Sequence, residues 1–69
     1  MIQFNLERAK QGVPMHTRKG VEAKLIAHLN GGQPAPILVE LGGASVENYF
    51  LNGRHNVFHE SEFDLFMKY

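Results

Sequence analysis

Sixty-nine residues, 43% of them hydrophobic, with seven basic and seven acidic side chains and no cysteine, describe one small domain spanning residues 1–69 with a thin core. That apolar content is too high for a disordered chain. The missing cysteines exclude disulfides and thiolate zinc sites, and no apolar run approaches the ~18 residues of a membrane-spanning helix. The opening MIQFNLERAK has no basic region leading into an apolar one, so no signal peptide is expected and the cytosol is the expected location.

The formal charge is zero, but it is unevenly placed. Arg8, Lys10, Arg18, Lys19 and Lys24 stand against Glu7 and Glu22 before Pro36; from Pro36 onward Arg54 and Lys68 stand against Glu40, Glu47, Glu60, Glu62 and Asp64. Such halves suit self-association or docking to a charged partner, or they mix as ordinary solvated charges once folded. They lack the basic excess of a dedicated nucleic-acid binder.

In chain order, Asn5 to Gly12 predicts a short helix. Asn5 is a good N-cap, Glu7 sits in the first turn where the helix dipole favours it, and Gly12 can end the helix in a left-handed cap. Phe4 and Ala9 hold the hydrophobic-staple positions. Two turns of helix need packing to persist, so Phe4, Leu6 and Ala9 are expected on a sheet.

Val13 to Leu29 predicts a β-hairpin. A three-residue loop, Arg18-Lys19-Gly20, places Gly20 in the left-handed conformation of a bulged turn. Thr17 then opposes Val21, Met15 opposes Ala23, and Val13 opposes Leu25, all on one face. A two-residue loop would set Met15 against Lys24, so the apolar pattern selects the longer one.

Asn30 to Pro36 carries two glycines and two prolines and reads as loop. Ile37 to Leu41 reads as a strand with Ile37, Val39 and Leu41 inward. Gly42-Gly43 reads as a two-residue turn pairing Leu41 with Ala44 and Val39 with Val46. The strand from Ala44 to Leu51 is half polar on both faces, as at a sheet edge. Asn52-Gly53 then signals another hairpin. A type I′ turn would pair Leu51 with Arg54 and Phe50 with His55; a three-residue loop would change those partners.

In the tail, Ser61 and Asp64 can cap one turn, followed by a closing strand in which Phe63, Leu65 and Met67 alternate. The expected fold class is α+β and mostly β: a short N-terminal helix and a curled antiparallel sheet of about five strands, an SH3-like or OB-like partly open small barrel.

Chemistry-bearing groupings are sparse. Among His16, His28, His55 and His59, the last two share a strand face about 13 Å apart, too far to chelate one metal. On a helix the spacing would work, with Glu60 or Glu62 conceivable as a third ligand, but Asn56 and the preceding Asn-Gly turn argue against a helix. Neither Ser45 nor Ser61 sits in a nucleophile motif. Asp64 is the sole aspartate, so paired carboxylates would need Glu60 and Glu62 in an exposed turn. Gly31-Gly32 and Gly42-Gly43 lack the helix start and Lys-Ser/Thr of a phosphate loop. A non-enzymatic chain without cofactor or metal is expected.

The remaining signal is aromatic. Tyr49, Phe50, Phe58, Phe63, Phe66 and Tyr69 exceed what a thin core obviously buries, and surface aromatics anchor interfaces. The candidate interaction surface is Arg18, Lys19, Tyr49, Arg54, Phe58, Phe63 and Phe66. An exposed edge strand could add a partner strand, whether from another protein or a second copy in a homodimer. The alternative is a small nucleic-acid-binding barrel that stacks bases on Tyr49 and Phe58 beside Arg54 and the Arg18-Lys19 turn.

The stretch FNLERAKQGVPMHTRKGVEAKLI resembles a recurrent opening in small proteins of bacteriophages, prophages and other mobile elements, F-[DN]-L-x-x-A-x-x-G-x-P-x-x-T-R-x-G. Phe4, Leu6, Ala9, Gly12, Pro14, Thr17, Arg18 and Gly20 carry it, with Asn52-Gly53-Arg54 and Asp64-Leu65-Phe66-Met67 matching later parts. Asn5, Met15 and Lys19 depart from the commoner Asp, Val and Asp. The resemblance transfers no site. It implies an accessory protein in the host bacterial cytosol, of a class that acts by binding and blocking host proteins, defence components included.

Overall fold

In the computed structural model, which describes Met1–Tyr69, six antiparallel strands form one open sheet beside one short helix. The elements are β1 (Ile2–Gln3), α1 (Leu6–Lys10), β2 (Met15–Thr17), β3 (Glu22–His28), β4 (Ile37–Leu41), β5 (Ser45–Tyr49) and β6 (Leu65–Met67). Their order across the sheet is β1-β6-β2-β3-β4-β5, so the C-terminal strand lies between the first two strands of the chain. The expected α+β, mostly β class is what forms, with β1 as a sixth strand too short to show in the residue pattern.

Local signals set the helix. Asn5 has extended backbone and its Oδ1 accepts the Arg8 N–H at 3.0 Å. At the other end the Gly12 N–H donates to the Ala9 carbonyl and the Val13 N–H to the Arg8 carbonyl, with Gly12 at φ +90°. This is the paired-bond cap that a left-handed residue makes possible. Ala9 is buried, and Phe4 and Leu6 pack against the core.

The first hairpin takes the expected register. Met15 faces Ala23, the Thr17 N–H donates to the Val21 carbonyl at 2.8 Å, and Gly20 closes the turn at φ +88°. Met15 and Thr17 are buried, but Val21 stays exposed. Val13 packs on the core without pairing to Leu25, because its N–H already serves the helix cap.

The second hairpin differs from expectation. Leu41 faces Ser45 and Val39 faces Glu47, so the loop has three residues, Gly42-Gly43-Ala44, rather than two. A one-residue change in the loop turns every β5 side chain over. Val46 therefore points to solvent at 51% exposure, while Tyr49, opposite Ile37, is fully buried at 0%. Burying the large Tyr49 ring removes more apolar area from water than Val46 could.

Asn52-Gly53 does turn the chain, but no further strand follows before β6. The Phe50 N–H donates to the Arg54 carbonyl and the Gly53 N–H to the Phe50 carbonyl, with Gly53 at φ +84°. That is the three-residue geometry of the first hairpin, not a type I′ turn, so the Leu51–Arg54 and Phe50–His55 pairs do not form. The Gly53 carbonyl instead accepts the Leu65 N–H at 2.9 Å, tying the turn to β6. The tail makes the expected capped turn and strand: Leu65 and Met67 are buried, but Phe63 is not. The alternation breaks at Asp64, which is itself buried.

One row of residues crosses the sheet, Ile2, Met67, Met15, Ala23, Leu41 and Ser45. Its middle members help form a core of eight buried apolar residues. So few leave polar interactions a large share in holding residues 50–64.

Candidate interaction surface

The residues expected to form one surface divide into three settings. Arg18, at the tip of the β2–β3 hairpin, is engaged within the molecule. Its backbone N–H donates to the Asp64 carbonyl at 3.0 Å, its Nε to the Ser61 carbonyl at 3.1 Å and its Nη2 to Asp64 Oδ2 at 3.0 Å. The same Nη2 lies 3.2 Å from Glu60 Oε2, and the guanidinium sits 4.9 Å from the centre of the Phe66 ring. Lys19 pairs with Glu62 at 3.1 Å. The basic and acidic halves thus meet within one chain, and the tip cations expected to be free for a partner are occupied.

Asp64 is the centre of this arrangement. At 4% exposure, its carboxylate accepts the Arg18 Nη2, the Ser61 N–H at 3.0 Å and the His55 N–H at 2.9 Å. Burial alone would raise its pKa. The Ser61 and His55 amides and the Arg18 guanidinium outweigh that burial and hold the carboxyl below its ordinary value. Ser61 reciprocates, its Oγ accepting the Phe63 N–H at 3.1 Å, so the turn carries a capping-box-like pair.

Tyr49 corrects the sequence reading. It is not an accessible aromatic: its ring is in the core and its hydroxyl donates to the Phe63 carbonyl at 2.8 Å. Burial first, then the charges of Glu47 and Asp64, push the phenol well above its ordinary pKa. His55 packs edge-on against Tyr49 and tilted against Phe63, with its Nε2 3.0 Å from Glu47 Oε1. His55 and His59 do not converge, since His59 Nδ1 lies by the Glu60 carbonyl. His16 stacks on Phe66 across β2 and β6.

Phe58 is the one candidate aromatic fully presented to solvent, at 90% exposure, with Val57 beside it and Leu51 also exposed. Phe63 is partly exposed, and Arg54 is half-buried with an Nε that has no hydrogen-bond partner in the protein. Phe66 is half-buried under Arg18. The structure therefore groups Arg18 with Phe66 and Tyr49 with Phe63, and leaves Phe58 on the far part of the loop.

Residue-by-residue reading placed Asp64 with Ser61 in a capped turn but missed its pairing with Arg18, as it missed the part of Glu60 and the His55–Glu47 pair. The signal for the Asp64 and Glu60 contacts was the alternating Glu60, Glu62, Asp64 against the adjacent cations Arg18 and Lys19. Nothing local marks His55 and Glu47 as partners. No family model, curated protein or solved structure matches the chain.

Proposed function

We propose that this chain is a non-enzymatic accessory protein of a bacteriophage or prophage, acting in the host cytosol by binding a host protein and blocking it, antiviral defence components being the expected class of target. The phage-like opening motif supports the origin. The single observation that carries the binding reading is Phe58, an almost fully exposed aromatic on a loop whose base is fixed. Below it, the Asp64 carboxylate, the Tyr49 hydroxyl and the His55–Glu47 contact hold residues 53–64 against the sheet. Docking an exposed large apolar side chain removes its area from water, and a loop fixed at its base has less backbone entropy left to give up.

Immobilised protein should retain a stoichiometric partner from bacterial lysate, and Phe58→Asp should lose it while keeping the wild-type melting temperature. Retention of nothing by the wild type counts against the proposal. The nucleic-acid alternative drew on Tyr49, Phe58, Arg54 and the Arg18-Lys19 turn; Tyr49, Arg18 and Lys19 are engaged within the molecule, which leaves it Phe58 and Arg54. A salt-sensitive gel shift with single strands would restore it.

A further inference from the structure

The β2–β3 hairpin is closed at its tip and open at its base. β2 begins at Met15, so its pairing with β3 ends at Met15–Ala23, whereas β3 continues to His28 with only β4 beside it, through a bulge between Leu25 and Ala27 that interrupts the regular alternation beyond Leu25. Backbone groups alternate sides along a strand. Since Val21 bonds Thr17, residues 21, 23 and 25 turn their N–H and C=O toward β2. Leu25 therefore presents its pair where Val13 would answer, but the Val13 N–H is committed to Arg8 in the helix cap. The helix cap interrupts the ladder.

What remains is an open cleft of about 640 Å³ between the Ala9–Met15 segment and Ala23–His28. That volume lies within the roughly 300–1,000 Å³ usual for binding sites. Residues from both faces of β3 line it, Leu25 from the inner and Lys24 from the outer, as expected where a neighbouring strand is missing. Its apolar lining includes Val13, Met15 and Leu25. Its ionisable lining is Lys10, Lys24 and His28, with no carboxylate among them. Glu40 faces Lys24 across the sheet but forms no ion pair with it.

We infer that this cleft takes an extended acidic peptide segment, added as a strand along Leu25–His28 of β3, with alternate apolar side chains on Val13 and Leu25 and carboxylates toward Lys10 and Lys24. Main-chain hydrogen bonds would supply affinity and the basic rim selectivity. The inference rests on the protein-binding reading and specifies the chemistry of a partner segment.

The test titrates isotope-labelled protein with a short capped peptide alternating glutamate and valine, and with its lysine counterpart. The glutamate peptide should shift the amides of Leu25 to His28 and slow hydrogen exchange at Leu25. The double variant Lys10→Glu/Lys24→Glu, both sites exposed, should keep a folded spectrum and weaken binding roughly tenfold or more. Unshifted amides, or equal binding of the lysine peptide, would overturn the inference. So would oligothymidylate shifting the same amides more strongly, which would make the cleft a nucleic-acid site. Shifts there that grow with protein concentration alone would make the occupant a second copy and overturn it too. If the double variant still retains the lysate partner that Phe58→Asp loses, the cleft proposal fails and the protein-binding reading stands. If the wild type retains none while the peptide binds at Leu25–His28, the host-partner reading fails and the cleft stands.

Discussion

The tip and the base of the β2–β3 hairpin differ in how their charges are answered. At the tip, Arg18 and Lys19 meet Glu60, Glu62 and Asp64, and the segment carrying those acids is thereby held to the sheet. At the base, Lys10 and Lys24 form no ion pair and the strands part around an open cleft. Glu60, Glu62 and Asp64 gather where the chain is closed, while the cleft itself is lined by Lys10 and Lys24 and by no carboxylate, Glu40 lying opposite Lys24 without pairing to it. Intramolecular closure at one end and availability at the other follow from the same distribution of charge.

The sharpest way to break this contrast is at Asp64. Asp64→Ala would leave the Arg18 guanidinium without its buried partner and strip the Ser61 and His55 amides of their acceptor. A loss of about 2–4 kcal/mol is expected by denaturant unfolding, together with faster hydrogen exchange in residues 53–64 and little change around Lys24. The charge itself can be isolated with Asp64→Asn. The folded carboxyl titrates below its unfolded value, so its stabilisation is fully present above about pH 4 and is lost as pH falls through the folded value. In the Asn variant this component of the acid slope should vanish.

Gly53→Ala comes next. A Cβ at φ +84° would stand 2.5 Å from Phe4 Cγ and 2.6 Å from Phe4 Cβ, so the ring that packs on the core would have to move. About 2–3 kcal/mol should be lost from conformational strain and overpacking combined. Wild-type stability in this variant would show that the turn does not seat against the N-terminal segment.

Tyr49→Phe keeps the ring and deletes one hydrogen bond to the Phe63 carbonyl, a loss of about 1 kcal/mol. Its pH dependence carries the opposite sign to that of Asp64. The folded phenol holds its proton more tightly than the unfolded one, so its contribution is present below about pH 10 and declines as pH rises further. The Phe variant should lack that alkaline decline. At the small end, Lys24→Gln should change stability by no more than about 0.5 kcal/mol, because it breaks no ion pair and sets no like charge opposite Glu40. A large loss there would mean that the base of the hairpin is held by its charge after all.

The sequence by itself determined the parts whose signals lie within a few residues. Asn5 and Gly12 bound the helix because capping needs only nearby amides. Gly20 and the Met15/Ala23 pattern set the first hairpin because one register buries apolar groups and the other buries Lys24. The capped turn at Ser61–Asp64 was legible for the same reason. The second hairpin was not, since β5 offers Val46 on one face and Tyr49 on the other and both choices bury something apolar. Packing of Tyr49 against the core, with its hydroxyl on Phe63, decided it. Tertiary structure alone placed β6 between β1 and β2 and drew Arg18 to Asp64 across 46 positions of sequence. It also left the Leu25–His28 end of β3 without a strand on its β2 side. Those outcomes depend on which segments compete for one acceptor or one edge, and that competition exists only once the chain is folded.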